Sequence, residues 1–90
     1  MKKLNEDFAT SQVSVGATAT LIAAARAGRD GITIENLGTT AVYIGKSNVT
    51  TSTGLLLPGT IGASITLEAT TDIYGIVASG SQSVAVLDTF

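Results

Sequence analysis

Short stretches of this chain alternate apolar and polar residues, the pattern of β-strands that bury one of their two faces. The clearest example is the range 31–45, Gly-Ile-Thr-Ile-Glu-Asn-Leu-Gly-Thr-Thr-Ala-Val-Tyr-Ile-Gly, where two alternating runs are separated by turn-forming residues. Asn36 and Gly38 tolerate the positive φ that a tight turn requires. This stretch therefore predicts a central β-hairpin, around which the other strands are arranged.

The same pattern recurs before and after this hairpin. Further alternating runs occupy the ranges 12–16, 18–23, 64–68, 72–78 and 84–88. The run 72–78 is apolar on both faces, so we expect it in the middle of a sheet or with one side against another chain. A second hairpin is expected to join it to the run 84–88 through a turn at 79–81.

Together with the leucine run at 55–57, these stretches give about seven or eight short strands and no helix. This is the pattern of an all-β domain, an antiparallel β-sandwich or jelly roll, with a small open barrel as the alternative. Residues 1–10 lack a sustained period and are interpreted as an N-terminal arm, with a frayed terminus as the other interpretation. The β-sandwich domain is then expected to cover residues 11–90.

Composition points to association with other protein. The 90 residues allow one domain, and a domain of this size buries only about 60 to 65% of the surface of its unfolded chain. The chain contains no Cys and no His, which excludes disulfides and the usual zinc sites, so subunit association is the expected source of added stability. Charged residues make up 13% of the chain, against about 25% in a typical domain. The Ser and Thr that replace them suit strands that contact other protein, or simply polar outer faces.

Charge and hydropathy also indicate where the chain acts. The formal net charge is −2, which argues against general electrostatic binding to nucleic acid. Lys2 and Lys3 are followed by polar and acidic residues instead of the apolar core of a signal peptide. The longest apolar run, at 21–25, is too short to span a bilayer. We therefore expect synthesis in a cytoplasm, with no nucleic-acid and no membrane partner.

Three consecutive leucines are the clearest candidate for an interface. Leu55, Leu56 and Leu57 cannot all point into one core if the backbone is extended, because neighbouring side chains face opposite sides of a strand. Leu56 at least is expected to meet something other than the main core. We interpret the three leucines, together with Tyr74 and Ile76, as an oligomer interface.

Two arginines flank the loop that precedes the central stretch. Arg26 and Arg29 are expected to be solvated or to form a salt bridge with Asp30. A patch that binds a carboxylate or a phosphate is the less favoured alternative.

The residues give no sign of catalysis. Without His or Cys the common nucleophile and base pairs cannot form, and the seven carboxylates are dispersed along the chain. Glu68 and Asp72 bracket a turn, where a Ca²⁺ site is a minor alternative to ordinary solvation. We therefore expect no catalytic, cofactor-binding or metal-binding residue.

The central stretch and its flanks carry a resemblance that covers about residues 18–88, up to and including the Tyr74 to Leu87 region. Its motif residues before that region are Arg29, Ile32, Thr33, Ile34, Asn36, Gly38, Val42, Tyr43, Ile44, Gly45, Val49, Thr50, Gly54, Leu57, Pro58 and Gly59. This pattern resembles small virion proteins of tailed phages, of the β-sandwich decoration, cement or head-fibre type.

The resemblance implies a non-enzymatic structural protein on the capsid exterior, commonly a homotrimer, made in the host cytoplasm. The major capsid protein would be its partner, and no cofactor is implied. The arm would contact the capsid, through Lys2, Lys3, Leu4 and Phe8. The main alternative is a tail-fibre or baseplate accessory module that binds a host receptor or glycan through the polar loop at 46–54. A cellular adhesin-like or storage β-protein is a further alternative.

Overall fold

The computed structural model describes residues 7–90, and this part of the chain folds into eight β-strands without a helix. The strands are β1 (Phe8–Gly16), β2 (Thr20–Ala23), β3 (Gly31–Asn36), β4 (Val42–Gly45), β5 (Leu55–Leu57), β6 (Ser64–Leu67), β7 (Ile73–Ile76) and β8 (Ser81–Thr89). The predicted all-β class is confirmed. Of the predicted arm, residues 1–6 lie outside the described residues, and Phe8 to Thr10 belong to β1.

The eight strands form two antiparallel sheets that pack face to face. The first sheet has the order β1-β8-β3-β6 and the second has the order β2-β7-β4-β5. The chain changes sheets at every connection except that between β4 and β5. This is the strand order of an eight-stranded jelly roll, one of the two architectures that the alternating runs predicted.

Both predicted hairpins are wrong. β3 pairs with β8 and β6 in the first sheet, whereas β4 pairs with β5 and β7 in the second. β7 and β8 likewise lie in different sheets. Alternation shows which face of a strand is buried, but it does not identify the neighbouring strand, and both of these connections cross between the sheets. Neither Asn36 nor Gly38 adopts positive φ, because no tight turn joins β3 to β4.

The inner faces of both sheets form one core. In β7 the inward positions are Ile73 and Gly75, and Val77, which directly follows the strand, is also buried. β7 lies between β2 and β4, which confirms its central position. A Cβ at Gly75 would lie 2.6 Å from Cδ1 of Ile22, so glycine allows the isoleucine to pack across the strand. The buried core cluster comprises Val15, Ile22, Ile32, Ile34, Val42, Ile44, Leu57, Ile73, Val77, Val84 and Val86.

At one end of the sandwich, Asn36 fixes the crossing from β3 to β4. Its side chain is fully buried, and Nδ2 donates to the carbonyls of Thr40 and Pro58, at 2.9 Å each. Oδ1 accepts the backbone N–H of Gly38 at 2.9 Å. The bonded carbonyls belong to the β3–β4 and β5–β6 connections, so one amide holds two crossings together. The predicted turn residue is therefore a buried polar tie between the sheets.

At the other end, Arg29 has the same role. Its Nε donates to Oδ1 of Asp88 at 2.9 Å, and Nη2 donates to the carbonyl of Ala24 at 2.6 Å. Nη1 donates to the carbonyls of Ala69, at 2.9 Å, and Thr71, at 3.2 Å. These acceptors lie on the β2–β3 connection, the β6–β7 connection and β8, so the guanidinium joins segments that are distant in the sequence.

The two arginines of this loop do not form the predicted salt bridge with Asp30, and Arg29 is not solvated. Arg29 and Arg26 both pair with Asp88, and the Arg26 guanidinium lies 3.8 Å from the centroid of the Phe90 ring. The Arg29 side chain is 1% exposed and that of Arg26 is 42% exposed. Local sequence patterns did not indicate this pairing, because Arg29 and Asp88 are 59 positions apart.

These two arginines allow a matched test of how much the buried Arg29 side chain stabilises the fold. Arg29→Ala leaves the Asp88 carboxylate and three partly buried carbonyls without the donor that they share, so the free energy of unfolding is expected to fall by about 3 kcal/mol. Arg26→Ala removes a half-exposed partner of the same carboxylate and is expected to cost about 1 kcal/mol or less. Urea unfolding followed by circular dichroism measures both, and equal losses would contradict the assigned role of Arg29.

Candidate functional site

The outer face of the second sheet is apolar. Alternation places Ile44, Ile73 and their neighbours in the core, so the residues between them point outward. None of the four strands of this sheet contains a charged residue. We call its outward side chains the apolar face, and they are Leu21, Tyr43, Leu56, Tyr74 and Ile76.

Strand pairing makes the apolar face continuous. Leu21 lies opposite Tyr74 in the β2–β7 pair, and Tyr43 lies between Ile76 and Leu56. Leu56 is 50% exposed, and the tyrosines and Ile76 are partly buried. A contiguous apolar surface of this kind on a small protein is typical of a contact with other protein.

A polar rim borders this face. Lys46, Ser47, Thr71 and Asp72 line a cleft of about 240 Å³ next to Tyr74. Polar and charged groups at the border of an apolar centre are usual in a protein interface.

The structure separates the three predicted leucines. Leu56 lies on the apolar face with Tyr74 and Ile76, as the sequence suggested for a residue that cannot reach the main core. Leu57 is a correction, because it is fully buried inside the sandwich and cannot contact a partner of the folded domain. Leu55 is exposed, but it lines a cleft of about 190 Å³ with Leu67 and Ile73 at the open end between the sheets.

Sequence reasoning missed Leu21 and Tyr43 as members of the face. Tyr43 alternates with Val42 and Ile44, which already indicated that it points outward. Leu21 could be recognised only from the pairing of β2 with β7, which no local pattern reveals.

The outer face of the first sheet differs in character. Thr10, Gln12, Thr33, Glu35 and Ser64 line an open groove of about 430 Å³, whose apolar lining includes part of β8. Hydroxyl, amide and carboxylate groups thus lie on this face beside the apolar part of β8, whereas the strands of the second sheet carry no charge.

The first groove leads into a second hollow. This hollow has a volume of about 590 Å³ and is lined by Asp7, Phe8, Asp30, Leu87 and Thr89. Phe8, a predicted capsid contact, is exposed there. The other predicted contacts, Lys2, Lys3 and Leu4, lie outside the described residues.

The polar loop at 46–54 connects β4 to β5 and is held by its own contacts. The Thr50 and Thr53 hydroxyls are 3.0 Å apart, the Thr53 hydroxyl accepts the Thr50 N–H, and Val49 is buried beneath the loop. A Cβ at Gly54 would lie 2.6 Å from Cβ of Tyr43, so the loop packs closely against β4. These contacts give the loop a defined conformation.

Residues 7–90 show no group that would hold a metal ion. They contain no cluster of three or more His, Cys, Asp or Glu residues. Asp72, which was considered with Glu68 for Ca²⁺, accepts the backbone N–H of Ala25 at 2.6 Å. In the same residues we find no helix with the length and apolar character needed to cross a membrane.

Comparison with known proteins gives no family. No protein-family model, no curated protein and no solved structure matches the chain. The two sheet faces are thus the features from which a function can be inferred.

Substitutions of the neighbouring leucines of β5 test which face of the strand points into the core. Leu57→Ala is expected to lower the free energy of unfolding by about 2–5 kcal/mol, because it opens a cavity in the core. Leu56→Ala at an exposed position is expected to change it by about 0.5 kcal/mol or less. Urea titrations at the lowest usable concentration keep the contribution of association small. A larger loss for Leu56 would contradict the assigned orientation of β5.

Proposed function

We propose that this chain is a non-enzymatic structural protein of a phage virion, which assembles through the apolar face and decorates the outside of the capsid. The observation that carries the proposal is the apolar face itself, with five outward apolar or aromatic side chains on a sheet without charges. The capsid as the place of action rests on the resemblance to decoration proteins.

Self-association explains the apolar face better than solvent exposure does. Leu21 and Leu56 are exposed at opposite edges of the sheet, and Tyr43 and Tyr74 lie between them. Aromatic residues at the centre of a surface are the usual anchors of protein contacts. Burial of this face in a homotrimer would remove it from water and would add core to a domain that is small on its own.

A structural role also agrees with the state of the buried charges. Arg29 and Asp88 are bonded to each other, and Arg29 is also bonded to three backbone carbonyls. Groups that are held in this way stabilise the fold. The remaining carboxylates are dispersed, which supports the expectation that the protein is not an enzyme.

The proposed mechanism is multivalent attachment. Each subunit is a sandwich whose crossings are tied by Asn36 at one end and Arg29 at the other, so that it can transmit load between neighbours without repacking. A trimer would contact several copies of the major capsid protein at once and add contacts across their seams. The segment that includes Lys2, Lys3, Leu4 and Phe8 is the proposed capsid contact.

A second candidate function is favoured by the groove on the first sheet. Its hydroxyl, amide and carboxylate groups, next to aliphatic Leu87, suit a glycan on a host surface. A tail-fibre or baseplate module would use such a groove. Saturable binding on a glycan array that is lost in Glu35→Ala would favour this candidate over capsid decoration.

Solution mass tests the proposed interface. Light scattering at low micromolar concentration is expected to give three times the 9.1 kDa mass of the chain. Leu56→Asp places a charge in the apolar face and is expected to reduce the mass to that of the monomer, with the strand content unchanged. Ile61→Asp is the matched control, because Ile61 is more exposed, at 69%, but lies in the β5–β6 connection outside the face. A trimer that survives Leu56→Asp would exclude the apolar face as its interface.

Capsid binding tests the place of action. Empty capsids of the phage that encodes the chain are expected to bind it to saturation in co-sedimentation and to open at a higher temperature when it is bound. The monomeric Leu56→Asp variant is expected to bind at least about 100-fold more weakly, because avidity is lost.

The arm can be tested in the same assay. Removal of residues 1–6 leaves β1 complete and is expected to abolish capsid binding while the trimer persists. Binding to tails but not to capsids would contradict decoration and favour the second candidate.

A further inference from the structure

The edge of the first sheet at β1 is long. Within residues 7–90, β8 is the one strand that pairs with β1, and the pairing runs without a shift from Phe8 opposite Thr89 to Gly16 opposite Ser81. Its nine residues, Phe-Ala-Thr-Ser-Gln-Val-Ser-Val-Gly, include no charge and no proline. An edge strand of this kind is a template for pairing with another strand.

The other three edges have features that discourage such pairing. β2 has four residues and a register shift between Leu21 and Ala23, and β5 has three residues and ends at Pro58. β6 has four residues, against nine in β1. Short strands, bulges, proline and charge are the usual means by which proteins block an edge. β1 is therefore distinct among the four edges.

The ladder shows which backbone groups of β1 face the open side. Asp7 and Phe90 exchange both hydrogen bonds, at 2.6 and 2.9 Å, so in an antiparallel ladder every second residue from Asp7 onward points toward β8. Phe8, Thr10, Gln12, Ser14 and Gly16 then point away from it. Gly16 agrees with this assignment, because its N–H donates to the Thr20 hydroxyl at 3.1 Å and its carbonyl accepts the Val77 N–H at 3.0 Å, both outside the first sheet.

We propose that β1 pairs antiparallel with β1 of a second copy of this chain, about a twofold axis at Ser11. Thr10 then lies opposite Gln12 of the second copy, and Phe8 lies opposite Ser14. This register uses the edge-facing residues from Phe8 to Ser14 in reciprocal pairs. A register centred on Gln12 would place Phe8 opposite Gly16, whose backbone groups are already bonded.

A second copy fits this edge because the edge is self-complementary. No charge lies on β1, so antiparallel copies bring no like charges together. The polar side chains of Thr10 and Gln12 meet on the outer face, and the grooves of the two copies become neighbours on one continuous sheet. The contact is independent of the apolar face, which belongs to the other sheet, and it goes beyond the proposed function. Because it involves one strand of each copy, it is expected to form only above the low micromolar concentration at which the mass of the trimer is measured, and oxidation of Ser11→Cys traps it.

Disulfide trapping tests the register directly, because the natural chain contains no cysteine. In Ser11→Cys the two thiols meet at the axis, where the Cα atoms of a non-hydrogen-bonded pair are about 4.5 Å apart, within the range of a disulfide. Ser14→Cys is the matched control on the same strand, since its two copies would be about 20 Å apart. Ser11 and Ser14 are both exposed.

Under mild oxidation, Ser11→Cys is expected to give a covalent dimer of twice the 9.1 kDa chain, and Ser14→Cys is expected to remain single on a non-reducing gel. Adding Gln12→Pro removes an edge-facing N–H but no bond to β8, and is expected to abolish the cross-link in a chain whose circular dichroism is unchanged. A monomeric Ser11→Cys, equal cross-linking at both positions, or a cross-link that survives Gln12→Pro would overturn the proposal. Adding Leu56→Asp to Ser11→Cys is expected to leave the cross-link intact, so that failure of the apolar interface is distinguishable from failure of the edge.

Discussion

The closed sandwich depends on the hydrogen bonds and the ion pair that the buried guanidinium of Arg29 forms. A jelly roll connects its strands by crossings between sheets, and such crossings lack the tight turn that fixes the register of a hairpin. The carbonyls of Ala24, Ala69 and Thr71 and the carboxylate of Asp88 all meet this one group. Burial of the charge is tolerated because these partners satisfy it. Asn36 provides the same kind of restraint at the opposite end with an uncharged amide.

Because Arg29 and Asn36 hold the two ends of the sandwich, the outer faces of the two sheets can differ in chemistry. The second sheet has no charged residue on its strands and directs Tyr43, Leu56 and Tyr74 outward, whereas the first directs hydroxyls, Gln12 and Glu35 outward. A domain with a small core gains stability from a partner on the apolar side without losing solvation on the polar side. The fold thus offers two surfaces with different chemistry, and this asymmetry supports the role of an assembly subunit.

The sequence predicts which face of each strand is buried, but it does not predict which strands pair with each other. Alternation correctly placed Ile32, Ile34 and Val42 in the core and Tyr74 outside it, because side-chain direction is a local property of an extended chain. It failed for the pairing of β3 with β4, since neighbouring runs in the sequence need not be neighbours in a sheet. It also failed for Arg29, whose partner is 59 positions away. The leucine run shows both cases, because Leu56 lies outside the core as predicted, whereas Leu57 was assigned to the interface and lies in the core.

The edges explain how a chain with so few charges could assemble without forming fibres. Uncharged strands that end in open edges extend into aggregates when more than one edge accepts a partner. Here the bulge in β2, the brevity of β5 before Pro58 and the four-residue length of β6 discourage addition at three edges. Pairing of β1 with its own copy about a twofold axis is isologous, so it consumes the open edge of both partners and stops. Growth of the first sheet would therefore end at the dimer, and the apolar face on the second sheet would remain available for a separate contact.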